Sequence, residues 1–128
     1  MSLIVTDGSE KVNKIAEIIA KALEDRVLVK DASSFEGTDL LPADVFFLGC
    51  EKPQPESFSS LEDMLQHINL ANRCCGVFSH ASDEAVQYLK DIVKSSEVFI
   101  YPEPLSETNP ETVDKWIAGV ISGRQEAL

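Results

Sequence analysis

Apolar residues in this chain follow two rhythms. Short unbroken runs, Leu3-Ile4-Val5, Val45-Phe46-Phe47-Leu48, Cys74-Cys75-Gly76-Val77-Phe78 and Val98-Phe99-Ile100-Tyr101, are separated by stretches where apolar positions recur every three or four residues. Unbroken runs predict strands covered on both faces, and three-to-four spacing predicts amphipathic helices. Val12, Ile15, Ala16, Ile19, Ala22 and Leu23 form the first helical face, and Arg26–Lys30 is a shorter second strand. From Asp31 to Ala43 periodic apolars are few, so this connection is expected to be loop with at most one helical turn. A second helix follows a capping box of Ser59 and Glu62 and turns Phe58, Leu61, Met64, Leu65 and Ile68 toward the sheet. Ala85, Val86, Leu89, Ile92 and Val93 mark the third helix. Asn109 caps a fourth with Pro110 at its first position, Val113, Trp116, Ile117, Val120 and Ile121 as its buried stripe, and Gly123 as its terminator.

Strands and helices that alternate in this way predict a three-layer α/β/α fold around a parallel sheet. For five strands the doubly wound order 2-1-3-4-5 is the leading topology. The 128 residues suit a single domain spanning 1–128. In that order the switch point falls between the first and third strands. The turns Thr6–Lys11 and Gly49–Phe58 then face each other across a crevice, with Ser79–Ser82 beside them. Ligands of open α/β sheets bind at such a crevice.

Composition narrows what can bind there. Twenty-two acids against eleven bases give a net charge of −11, which repels nucleic acid and anionic membranes and suits a basic partner. No apolar run approaches the ~18 residues of a membrane span, and the N-terminus lacks signal-peptide character. A cytoplasmic protein is expected. Cys50, Cys74 and Cys75 are an odd number without metal-ligand spacing, which fits a reducing compartment and buried thiols. Neither a metal site nor a set of catalytic side chains is expected.

The first turn, Thr6-Asp7-Gly8-Ser9-Glu10-Lys11, joins a buried strand directly to a helix start, where free N–H groups suit an anion. Capping alone also explains it: Asp7 or Ser9 can serve as cap, and Asp7 with Glu10 resembles a capping box. His80 reads as a surface turn residue, Cys50 as a structural thiol and Trp116 as core.

The chain resembles the flavodoxin-like family over nearly its whole length. Leu3-Ile4-Val5 followed by Thr6–Val12, then Ile15-Ala16-Glu17-Ile18-Ile19-Ala20, sit where a flavodoxin has its first strand, phosphate turn and first helix. Asp44–Cys50 resembles the family's third strand, which often ends in Leu-Gly-Cys or Leu-Gly-Ser. Gly76-Val77-Phe78 resembles its fourth strand, and Trp116 lies in a final helix that often carries Trp. The resemblance implies non-covalent FMN, electron transfer and a basic redox partner steered by the acidic surface. It places Thr6, Asp7, Gly8, Ser9, Glu10 and Lys11 at the phosphate. Gly49, Cys50, Glu51 and Lys52, with Ser79, His80, Ala81 and Ser82, would flank the flavin ring.

The residues depart from that pattern in two ways. Val12 stands where the phosphate turn ends in Thr, and Asp7 and Glu10 add negative charge. Neither Gly49–Pro55 nor Ser79–Ser82 contains Trp or Tyr for stacking; His80 is the only ring in those segments. The departures support an alternative, a flavodoxin-fold protein that has lost FMN and acts as an interaction or regulatory module. Other families of this shape match less well. A response-regulator receiver would not have Gly49-Cys50 and Tyr101-Pro102 at its Asp and Lys positions. There is no Cys in the first turn for a phosphatase, no cobalamin His motif and no Walker loop.

Overall fold

The computed structural model describes residues 1–23, 26–40, 42–105 and 107–126, with side chains up to residue 122 in the last helix. Strands β1 (Ser2–Thr6), β2 (Val27–Asp31), β3 (Val45–Gly49), β4 (Cys74–Phe78) and β5 (Phe99–Ile100) form one sheet in the order β2-β1-β3-β4-β5. Every pairing is parallel, with Thr6 opposite Gly49 and Gly49 opposite Phe78 at the carboxyl ends of the central strands. This is the expected doubly wound α/β fold. Helices α1 (Glu10–Ala22), α2 (Ser59–Leu65), α3 (Asp83–Val93) and α4 (Pro110–Glu126) cover the sheet.

The unbroken apolar runs divide by the period of two along a strand. Leu3, Val5, Phe46, Leu48, Cys75 and Val77 face α2 and α3 in one buried cluster. Ile4, Val45, Phe47, Cys74 and Phe78 face α1 and α4 in the other. Residues adjacent in sequence thus end in different cores, so both faces of β1, β3 and β4 must be apolar. Trp116 is 5% exposed, stacks obliquely on Phe47 at 5.4 Å and donates its indole N–H to the Glu103 carbonyl at 2.9 Å. It is core, as expected. The Asn109 cap is also present, its side-chain oxygen accepting the Thr112 N–H at 2.9 Å.

Several local expectations are corrected. The β2–β3 connection makes two 3-10 turns, Ala32–Ser34 and Gly37–Asp39, where at most one helical turn was expected. Asp31 caps the first by accepting from the Ser33 N–H at 2.9 Å. Ser59 and Glu62 form no capping box. A 3-10 turn, Glu56–Phe58, precedes α2 and makes Ser59 a helical residue, and Glu62 instead accepts the Tyr88 hydroxyl at 3.0 Å. Helix α2 ends at Leu65, so Ile68 packs from beyond it. Strand β5 holds two residues rather than four, because Pro102 and Pro104 follow closely and cannot donate to a ladder. Ile121 is 43% exposed rather than buried, since it falls at the margin of the helical stripe. Helix α4 continues through Gly123 to Glu126; a glycine alone does not stop a helix unless the next residues turn away.

Candidate functional site

The first turn is closed by its own side chains. Gly8 has φ +84°, and a Cβ there would collide with the Asp31 carboxylate of β2, so only glycine suits this position. One oxygen of Asp7 accepts the Ser9 N–H at 3.0 Å and the Ser9 hydroxyl at 2.7 Å, an Asx turn. The other accepts the Glu51 N–H at 2.9 Å, from the loop after β3. Asp7 therefore ties the two sides of the switch point together. The Thr6 hydroxyl donates to the Asn13 side-chain oxygen at 2.6 Å and accepts the Gly8 N–H at 3.3 Å. Asn13 also donates to the Gly8 carbonyl at 3.4 Å.

The expected capping box of Asp7 and Glu10 is absent. Ser9 occupies the cap position but makes no side-chain cap bond, because its hydroxyl is spent on Asp7. Glu10 turns outward and pairs with Lys14 at 3.5 Å. Both side chains of that pair are exposed, so it is worth little.

Beyond β3 the chain sends Cys50 inward. It is fully buried in the α2/α3 core with Phe58 and does not line the crevice. Burial first, and the nearby Asp7 charge second, push its thiol from 9.0 up to about 12. A thiol held protonated there is a poor nucleophile. Cys75, by burial, and Tyr88, by burial and its bond to Glu62, are shifted in the same direction. The unfolded thiol ionises near 9 while the folded one does not. The resulting stability is full below pH 9 and is lost as pH climbs toward 12. Urea midpoints are accordingly expected to hold between pH 7 and 8.5 and fall steadily above 9. A thiol reagent at pH 8 should leave Cys50, Cys74 and Cys75 unmodified until denaturant is added.

The remaining loop residues bound a cleft of about 710 Å³. Glu51, Lys52 and Pro53 form one wall, His80, Ala81 and Ser82 the other, and Lys11 joins them from the first turn of α1. The three segments singled out in the sequence are thus brought together. Their side chains are not all available. Thr6 is buried, Cys50 faces the core, and Ser82 caps α3 by accepting the Ala85 N–H at 3.1 Å.

A second groove of about 510 Å³ opens on the other side of Lys11 and His80. Lys14, Ile15 and Ile18 of α1 form one side, and Leu105 and Thr108 before α4 the other. Sequence reading passed over Asn13, Lys14 and this groove. The 3.6-residue repeat identifies Ile15 as core-facing but carries no sign that a loop some ninety positions later leaves a gap beside it. Among the described residues, no cluster of His, Cys, Asp and Glu could hold a metal, and no helix is long and apolar enough to cross a membrane.

A five-stranded parallel sheet in the order 2-1-3-4-5 with helices on both faces is the fold of the flavodoxins. A short-chain flavodoxin associated with a bacterial microcompartment superposes over 96% of this chain and 97% of its own, with TM-score 0.79 and 17% identity. Flavodoxin 2 of Bacillus cereus matches over 94% and 97%, with TM-score 0.78 and 20% identity. A Fusobacterium nucleatum flavodoxin bound to flavin mononucleotide matches over 94% and 96%, with TM-score 0.72 and 13% identity. No family model matches the sequence, and no curated protein does. The chain has a flavodoxin-like domain, and at these identities the likeness concerns the fold.

Proposed function

We propose that this flavodoxin-like protein is a binding or regulatory module that does not carry FMN in the manner of a flavodoxin. The observation that carries this reading is the Asp7 carboxylate, which takes the Ser9 and Glu51 N–H groups at 3.0 and 2.9 Å. In the resemblance, N–H groups of the first turn serve the phosphate. Here a side-chain anion already uses one of them and braces the turn against the next loop. A phosphate brought within ~4 Å of that carboxylate would meet a repulsion of roughly 1–4 kcal/mol per unit charge, depending on local screening. Lys11 and Lys52 at the cleft offset part of this. The flavin ring also lacks a stacking partner. The cleft is lined by His80 as its one ring, so the contact area that dominates aromatic ligand affinity is reduced.

The second reading is an FMN electron carrier with an acidic surface that meets a basic redox partner. Two observations favour it: the cleft lies at the expected switch point, and the fold matches that of flavodoxins described with flavin mononucleotide. FMN titration separates the two readings. FMN mixed with protein at micromolar concentrations is expected to keep its fluorescence, and the protein to remain colourless after gel filtration. Stoichiometric quenching with a dissociation constant in the micromolar range or below would overturn the first reading and establish the second.

A further inference from the structure

We propose that the groove between α1 and the segment preceding α4 binds a small amphiphilic anion, a phosphate or carboxylate head attached to an apolar body. This site adjoins the switch-point cleft, with Lys11 and His80 on the wall between them, and its proposal goes beyond the cofactor reading. At about 510 Å³ its volume falls in the range of small-molecule sites.

Three observations agree on the ligand's chemistry. The first is charge. The chain carries −11, yet three of its eight lysines, Lys11, Lys14 and Lys52, gather at this end of the sheet. Lys11 and Lys14 line the groove itself with His80. Lys11 has no ion pair among the described residues, and the exposed bond from Lys14 to Glu10 is readily exchanged. Glu107 also lines the groove and keeps its negative charge while accepting from Asn109 at 2.9 Å, so the anionic head is placed on the Lys11 and Lys14 side, away from it.

The second is an unmet hydrogen bond. Ser79 lines the groove, and its hydroxyl oxygen is shielded from solvent without any partner, the one such side-chain oxygen or nitrogen among the described residues. Leaving a buried hydroxyl unpaired costs free energy. A χ1 rotation that brings the hydroxyl to the groove wall lets an anionic acceptor remove that cost. The third is shape. Ile15, Ile18 and Leu105 give the groove an apolar side, where inorganic phosphate would have nothing to contact. A head group bound by Lys11, Lys14 and the Ser79 hydroxyl, with an apolar body on the isoleucines, uses all three features.

Phenyl phosphate and benzoate are suitable probes, with inorganic phosphate as control, followed by amide chemical shifts of the isotope-labelled full chain. Saturable shifts are expected at roughly millimolar phenyl phosphate, confined to residues 11–18, 79–80, 105, 107 and 108. Inorganic phosphate should bind at least tenfold more weakly. If benzoate matches phenyl phosphate, the head is a carboxylate or phosphate without preference; if it binds much more weakly, the site selects phosphate. Lys11→Glu with Lys14→Glu should weaken phenyl phosphate at least tenfold. Ser79→Ala should weaken it severalfold while leaving the urea midpoint unchanged or higher, since it deletes an unpaired buried hydroxyl. The proposal is overturned if shifts are absent at ten millimolar probe, map to residues 51–53 instead, or persist unchanged in the lysine variant. Lys11 lines both sites, whereas Lys14 lines the groove alone, so Lys14→Glu should weaken phenyl phosphate while leaving the FMN titration unchanged, and failure of this proposal is read separately from failure of the cofactor reading.

Discussion

Asp7→Ala is expected to lower the unfolding free energy by about 2–4 kcal/mol. Asp7 accepts three hydrogen bonds, from the Ser9 N–H, the Ser9 hydroxyl and the Glu51 N–H. Bonds to a charged acceptor are worth ~1.5–3 kcal/mol each where they are sheltered, and donors stripped of a partner carry their own penalty. Partial exposure of this turn holds the sum at the lower end. Asp7→Asn should recover part of the loss, since its side-chain oxygen can still accept from Ser9, but one of its two faces becomes an amide donor opposite the Glu51 N–H. Urea denaturation of the three proteins measures this order. A loss under 0.5 kcal/mol in the alanine variant would show that the brace contributes nothing and would weaken the cofactor reading with it. The same residue gives a gain-of-function arm. Asp7→Thr with Glu10→Asn removes both carboxylates from the turn and should raise FMN affinity above that of the parent. If affinity stays unchanged, the missing stacking ring is the obstacle rather than the turn.

Gly49→Ala is expected to cost about 3 kcal/mol or more, with the loss concentrated in the central sheet. Gly49 closes β3 between Thr6 and Phe78, and a Cβ there would overlap the Phe78 ring. That ring is fully buried in the same core cluster as Ile4, Val12 and Phe47, so it has little room to withdraw. Inserting a methyl into a packed core costs ~1–3 kcal/mol, and the upper end applies where the neighbour cannot move. The conflict is one of space, so shrinking the partner should relieve it. Phe78→Leu alone destabilises by leaving a void, whereas Gly49→Ala in that background should cost at least ~1 kcal/mol less than in the parent. Additive losses in this cycle would refute the steric account. A Leu-Gly-Cys strand end therefore has a packing reason here that is independent of any ligand.

The comparison of Asp7 and Gly49 shows which parts of the site local patterning reveals. That a turn with Asp, Gly and Ser follows β1 is visible in the residues, and its position at the switch point is the leading expectation, because alternation and handedness leave few strand orders. The role of Asp7 is not visible. Sequence suggests a cap within its own turn, and half of that holds, since one oxygen serves Ser9. The other oxygen bonds a residue 44 positions away, a distance no local pattern spans. Cys50 differs for a similar reason. It follows an apolar strand at the crevice, and only the packing of Phe58 and the α2/α3 layer turns it inward. The capping box at Ser59 failed because a preceding 3-10 turn moved the helix start.

Hydrophobic period and turn chemistry thus suffice for five strands and four helices, because these depend on neighbours a few residues apart, and their alternation with right-handed crossovers makes the parallel order, with three loops at one end, the leading topology. What that end can hold depends on contacts between segments far apart in the chain. Packing alone sets the Asp7 brace from β1 to the loop after β3, the unpaired Ser79 hydroxyl and the groove beside α1. Each arises where side chains of separate elements do or do not fill the same space, and a linear pattern carries no record of that.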